Sequence, residues 1–441
     1  MMQFKSYVFY GEIEVRLLSA LHIGNDENAL VQNGEGKYMI PASSIAGSIR
    51  HVIDHPLFGD LKHKSEAYFY DAILKNANVE RRVGIARDPQ RGTTARMALF
   101  RTDYISENAT ANLRMQFFAD DEKEASSLFL KIVNGIQNHS ITFGSKKSNG
   151  GGIFEVRRAS SRVLNLQSET DFTDYCKGID AVYKTLKSVT VPQMASLNET
   201  IYSLRAYVDG SIIVKSDIVP EGKDKEMVPD VQNMYKIGEQ GKVYFIPSST
   251  IKGLMRSYAA KILKHQGMSE DYLQIIFGGE VNDTKIAGSI YTTDTIIEDA
   301  KPVIYHRVPI DRWLGSTILG QKLDIEALGT DKELKINVRI NHKLVDKYKK
   351  LLKDYPMEEA LSEDDLMHLA NALVYLTLRD LGNGRLQLGS YDSIGFGRFK
   401  GTSLRVNGKE CSIKDGIVDC SHIEKDLEAH LQVLGGVAHG N

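Results

Sequence analysis

"YMIPASSIAGSIRHV" (Tyr38–Val52) and "YFIPSSTIKGLMRSY" (Tyr244–Tyr258) are one phrase written twice, 206 positions apart. Each opens on an aromatic residue and runs through Ile-Pro, a small residue and two hydroxyl residues to Ile, Gly and Arg in the same places. Two further blocks repeat in the same order. "FYDAILKNANVERRVGIARDPQRGTT" (Phe69–Thr94) aligns without gaps to "TTDTIIEDAKPVIYHRVPIDRWLGST" (Thr292–Thr317), setting Asp71 on Asp294, Asp88 on Asp311 and Gly92 on Gly315. "FGSKKSNGGGIF" (Phe143–Phe154) aligns to "LGSYDSIGFGRF" (Leu388–Phe399). Ordered self-similarity of this kind makes the chain a tandem duplication.

Within each copy the hydrophobic period alternates between two and that of a helix. Ile13, Val15 and Leu17 share one face of an opening strand; Leu113, Met115 and Phe117, and in the second copy Leu334, Ile336, Val338 and Ile340, read as half-buried strands. Each is followed by an amphipathic helix, carried by Ala125, Leu128, Ile132 and Ile136 or by Leu366, Leu369, Leu373 and Leu376. Strand, helix, strands, helix, strand is the split βαβ order of ferredoxin-like (RRM-like) domains, so the fold class is α+β with two such domains in tandem. The boundaries expected are 1–158 and 201–402 for the domains, 159–200 for a partly helical linker, and 403–441 for a C-terminal extension.

A chain of 441 residues that is 42% hydrophobic and 25% charged reads as an ordinary globular protein with room for two or three cores. Its formal net charge of −2 argues against a uniform coating of nucleic acid but leaves room for a local basic groove. Cys176, Cys411 and Cys420 are odd in number and lack CxxC spacing, which suits reduced thiols and speaks against structural zinc. No apolar leader or spanning run is present, so a cytoplasmic location without membrane attachment is expected.

The repeated opening block has the makings of an anion site. Proline ends a strand, and the hydroxyl pairs Ser43–Ser44 and Ser249–Thr250 can cap a helix whose free amides attract phosphate. Gly47 and Gly253 permit close backbone approach, and Arg50, Arg256 and Lys252 add charge. The plainer alternative is a capped helix whose glycine serves packing. Lys146, Lys147, Gly150, Gly395 and Arg398 mark glycine-rich loops suited to a polyanion or to a tight hairpin. The middle block of the first copy holds Arg81, Arg82, Arg87, Arg91, Arg96 and Arg101 against Asp88 alone, a basic stripe around a turn-like "DPQRG". In the second copy Arg312 and Trp313 stand at the matching hairpin tip, where the indole either stacks on a base or anchors the hairpin to its own domain.

At these residues the sequence resembles the RAMP superfamily of CRISPR-associated proteins. "IPSSTIKGLMR" is similar to its "IPGSS…KG…R" signature, "VPIDRWLGST" and "ARDPQRGTT" to the Ile-Asp-Arg segment of its backbone-subunit branch, and "GSYDSIGFGRF" and "GSKKSNGGGIF" to its closing glycine-rich loop. "LHIG" (Leu21–Gly24) also recurs there. The resemblance implies two domains lining a guide RNA (crRNA) in a type III, Csm/Cmr-like effector complex. The partners implied are the crRNA, a complementary target RNA, neighbouring RAMP subunits and the large and small subunits. Thumb hairpins would lie at about Arg81–Arg101 and His306–Gln321. A fused double subunit of type III-D and the two-unit filament cap of type III-B are both open placements.

In that branch a loop aspartate cleaves target RNA with a divalent metal, Mg or Mn. The resemblance points to Asp230, as cleaving residue and metal ligand, with Asp217 second and Asp26 or Glu27 in the shorter first loop. Ordinary solvated loop carboxylates are the alternative. Ala42, Ala46 and Ser248 depart from the family pattern. Three functions therefore compete: guide binding with target cleavage, purely architectural guide binding, and metal-independent guide processing with His22 as general acid or base.

Overall fold

The computed structural model describes residues 5–24, 29–87, 94–191, 198–216, 228–238, 241–318, 320–357, 360–414, 417–420 and 424–436, with side chains from 85 to 100 left aside. Asp26, Glu27, Asp217 and Arg91 fall outside these residues, as does the side chain of Arg87.

In the first copy the opening strand Tyr7–Leu17 lies between Thr110–Ala119 and Phe154–Asn165, with Ala67–Phe69 beyond the former. In the second, Glu199–Asp209 lies between Leu334–Asn341 and Arg398–Val406, with Ile290–Thr292 in the corresponding outer place. All these neighbours are antiparallel, and both sheets follow the 4-1-3-2 order of a βαββαβ domain. The cause is the period-two pattern. Ile13, Val15, Leu17, Leu113, Met115 and Phe117 lose all contact with solvent, under Ala125, Leu128, Ile132 and Ile136 of the helix Glu122–Gln137. The helix Glu363–Gly382 covers the second sheet with Leu366, Leu369 and Leu373, while Leu376 is only half-buried at the edge of that core.

Two elements depart from the sequence-based boundaries. The linker is part of the first unit, which extends to Leu197. Its residues Val182 and Tyr183 pack with Val8, Tyr10 and Leu164 on the sheet face opposite the helix, and Lys187–Val189 adds an edge strand. The supposed C-terminal extension likewise completes the second unit. Lys409–Lys414 and Ile417–Asp419 continue its sheet, and the helix Glu424–Gly436 packs on Glu363–Gly382. Here the expectation of reduced thiols fails, because Cys411 and Cys420 are joined in a disulfide; Cys176 is free. The second unit also contains Arg82–Arg101, the distal part of the first copy's hairpin.

The helices of the repeated block, Ala42–Val52 and Ser248–His265, begin immediately after proline. No side chain in sequence caps either one, contrary to the expected hydroxyl caps. Instead a carboxylate from far along the chain accepts the first helical amide: Ala42 N–H donates to Asp71 Oδ1 at 2.7 Å, and Ser248 N–H to Asp294 Oδ1 at 2.8 Å. The proline supplies an extended φ/ψ and a carbonyl that takes the third and fourth amides, but its side chain accepts nothing. A negative group at that end also opposes the helix dipole.

Asp294 carries a second bond, a two-pronged salt bridge to Arg82 at 2.7 and 3.1 Å, with both side chains largely sealed from solvent. Asp71→Ala should therefore lose about 1 kcal/mol in urea denaturation. Asp294→Ala should lose about 3 kcal/mol or more, because it removes both carboxylate bonds from a buried guanidinium. Equal losses would show the Arg82 pair to contribute nothing.

Candidate nucleic-acid interface

The repeated helix presents the same outward stripe in both units. Ser43 and Gly47 are four residues apart and exposed, as are Ser249 and Gly253. The amides of Ser43 and Ser249, second in each helix, have no acceptor among the described residues. A glycine inside a helix costs about 1 kcal/mol relative to alanine. That cost is commonly offset by tight packing, yet a β-carbon added at Gly47 or Gly253 would meet nothing within 4 Å. The packing explanation fails at both positions. What remains is a bare backbone face beside a free amide and a serine, a surface that admits a close ligand.

The basic residues behave differently. Arg50 is exposed but donates to Gly59 O at 3.2 Å, the carbonyl closing the short turn Pro56–Phe58, and lies over Phe58. Arg256 does the same work more deeply: it donates to Gly278 O, past the helix Asp271–Phe277, and to Gln274 Oε1 at 2.7 Å. Burial holds its pKa below the usual guanidinium value. Each arginine thus clips its helix to the helical turn that follows. Lys252, expected beside Arg256 on an outer face, is only 8% exposed, and burial, with Arg256 and Lys347 nearby, pushes its ammonium down to about 7. The outward stripe of the second unit therefore lacks the lysine charge anticipated for it.

The glycine loops are built on matching backbones. Gly144, Gly152, Gly389 and Gly397 have positive φ, and a β-carbon at any of them would strike a carbonyl of the segment the loop closes on. Ser145 N–H donates to His22 O and Ser390 N–H to Ile213 O, both at 2.8 Å. Single helical turns, Lys147–Asn149 and Asp392–Ile394, sit between left-handed residues, Lys146 with Gly150 and Tyr391 with Gly395. Gly150 is buried and Gly395 exposed, so only the second opens its backbone outward. Lys147 Nζ donates to Ser48 Oγ at 3.1 Å, bringing the first loop against the helix stripe, and burial lowers its pKa. Lys146 is exposed. In the second loop Asp392 takes Lys147's place, and Arg398 pairs with Asp209 at 3.5 Å.

The basic stripe of the first hairpin is smaller than its composition. Arg81 is paired with Asp103 at 2.7 Å and Arg82 with Asp294, whereas Arg101 is exposed. The second hairpin, Lys301–Arg307 with Leu323–Gly329, ends in a turn ordered by Asp311. Its carboxylate accepts from Trp313 N–H and Leu314 N–H, both at 2.8 Å, and those bonds lower its pKa. Trp313 is 95% exposed and Leu314 80%, with Arg312 also exposed. The tryptophan does not anchor the hairpin to its own unit.

Asp230 is exposed beside the turn end of the hairpin ladder, where its Oδ2 accepts from Asp324 N–H at 2.8 Å. The next residue, Val231, is buried with Ile213, Ile325, Ala327 and Phe396, which fixes the aspartate's backbone. Asp324 pairs with His306 and Lys322, and both bonds hold its carboxyl below the usual range. Among the described residues no three His, Cys, Asp or Glu side chains gather, and one oxygen of Asp230 is already engaged. His22, the candidate for guide processing, is 4% exposed, and its Nδ1 bonds to Asp103 O at 2.7 Å, against Tyr104. The residue at its place in the second unit is Ile213, also buried.

The sequence model of the RAMP superfamily matches residues 14–155 and 222–400. The chain belongs to the RAMP superfamily, with one family region in each copy. A solved chain in "Cryo-EM structure of the Type III-B Cmr-beta bound to cognate target RNA" is 15% identical, with a TM-score of 0.30. That match covers 36% of this chain and 61% of the other. No curated protein matches the sequence. Among the described residues no helix is long and apolar enough to cross a membrane.

The inward lysine gives a pH signature. Lys252 binds its proton more weakly folded than unfolded, so between about pH 7 and its ordinary pKa of 10.5 the unfolded chain holds the extra proton and stability should rise with pH. The slope expected is up to about 1.4 kcal/mol per unit. Lys252→Met should flatten that rise and stabilise the protein at pH 7 and below, as read by urea titration at several pH values.

Proposed function

We propose that the chain is a guide-RNA-binding backbone subunit of a type III CRISPR effector complex, working beside neighbouring RAMP subunits on a crRNA and its complementary target. The observation that carries this reading is the pair of bare helix stripes. Ser43–Gly47 and Ser249–Gly253 each combine a free amide with a glycine that has no internal use. Family membership with one region per copy makes two successive contacts on one ribose-phosphate strand the natural use of that duplication. Amide and serine hydrogen bonds hold phosphate, and the absent β-carbon lets the strand approach the helix backbone. Local charge comes from Lys146, Lys147, Arg50 and Arg101 rather than from Lys252. At the second hairpin tip the exposed Trp313 stacks on a base, a contact worth about 1–3 kcal/mol.

Target cleavage is the second part of the proposal, and it rests on Asp230. The Asp324 amide fixes one oxygen of the carboxylate and leaves the other to orient or deprotonate a 2′-hydroxyl set in line with its phosphate. A divalent ion would arrive shared between the free Asp230 oxygen and the RNA phosphate. The architectural alternative shares everything except this step.

Gly47→Leu with Gly253→Leu should keep or raise the stability of both helices, because leucine is a better helix former than glycine. It should also strip most RNA from the purified complex, measured by extraction and absorbance. Undiminished RNA with both leucines in place would sink the cradle. For cleavage, Asp230→Asn retains an acceptor for the Asp324 amide; assembly should persist while one cut in a complementary RNA disappears from the sequencing gel. A full set of cuts would assign the chemistry elsewhere.

A further inference from the structure

His22, His63, His306 and His342 each turn a ring nitrogen to an oxygen. His368 and His430 turn theirs to each other, Nδ1 to Nδ1 at 2.7 Å, with ring centres 4.9 Å apart. Neither ring meets another hydrogen-bond partner among the described residues. The pair joins the helix Glu363–Gly382 to the closing helix Glu424–Gly436. On the closing helix His430 stands three residues after Leu427 and four before Leu434, both buried in the core of the second unit. Leucine would fill that place with no polar atom to satisfy. A neutral hydrogen bond between the rings accounts for their contact, but not for two polar rings at a place where a pair of leucines would pack. Burial, with His368 alongside, pushes His430 down to about 4, so its ring is neutral at pH 7, the form in which imidazole binds a metal.

From this we infer that His368 and His430 are the two protein ligands of zinc, or of a metal of its class, which fastens the closing helix to the body of the second unit. Neutral imidazole selects zinc, nickel or copper over magnesium and calcium, which call for oxygen. Zn–N bonds of about 2.0–2.1 Å at a tetrahedral angle set two nitrogens about 3.3 Å apart. The pair would open from 2.7 Å by about 0.6 Å, which small rotations of the two rings supply. Water takes the other positions, since no third His, Cys, Asp or Glu joins the pair among the described residues. Asp426, one helical turn before His430, offsets part of the ion's charge from its exposed place beside Lys409. The inference does not depend on the RNA reading, and this ion is separate from the one proposed for cleavage.

The test uses the full chain carrying Cys176→Ser, which removes the free exposed thiol, after treatment with EDTA and RNase. Zinc chloride is titrated against a competing fluorescent chelator. One ion should bind per chain, and the Tm should rise by about 5 °C with zinc a hundredfold above its Kd. Magnesium chloride should give no rise; an equal one would overturn the class of metal. His368→Gln and His430→Gln should each weaken zinc binding about tenfold or more, and combining them should add little. His368→Leu with His430→Leu should keep or raise the Tm without metal, because the seam becomes apolar, and should abolish the response to zinc. Absence of saturable binding by the Cys176→Ser chain would overturn the site. So would zinc binding undiminished by the glutamines or by the leucine pair, which would put the ion elsewhere.

Discussion

A carboxylate delivered to the first amide of a proline-started helix organises each half of this molecule. Proline fixes where the helix begins, but it offers no side-chain acceptor, so the exposed end of the dipole must be met from elsewhere in the chain. Asp71 and Asp294 meet it. In doing so they tie the short strand after the helix to its start, and they leave the next amide, with its serine and bare glycine, on the outside. The exposed stripe and the internal brace are therefore neighbours on one helical turn. The first amide is used within the fold and the second faces outward.

That division also explains how the positive side chains are distributed. Arg50 and Arg256 are three residues beyond the glycines, and they turn back to carbonyls that close the following helical turns. Arg82 and Arg81 are likewise absorbed in pairs. The surface is left with polar backbone, hydroxyls, a few exposed cations such as Arg50, Arg101 and Lys146, and an aromatic tip. Such a surface favours shape and close contact over bulk charge, consistent with a chain whose overall charge is near zero. It is suited to holding one strand in a fixed path.

The strands and covering helices were legible because their apolar residues recur at the period of the element, and a buried face leaves no freedom in that pattern. The duplicated blocks went further and marked the helix stripes and glycine loops. What local pattern could not show was direction. Four-residue spacing places Lys252 and Arg256 on one face, but not whether that face looks inward. The hydroxyl pairs looked like caps because the true acceptors are 29 and 46 residues away. A signal for them existed in the alignment of Asp71 on Asp294. Arg82's partner is 212 positions distant, beyond any motif. The cysteines misled for the same reason: a nine-residue separation says nothing until two short strands bring the sulfurs together.

The chain passes from one compact unit to the other at three junctions, after Arg81, Arg101 and Leu197. Two independent beads on a string would need only the last. The excursion of Arg82–Arg101 means that neither half of the gene encodes a finished body. Expressed alone, the leading half would display an orphaned ribbon, and the trailing half would carry an empty seat at Asp294. Cutting the duplication between its repeats would therefore sever one compact unit rather than separate two.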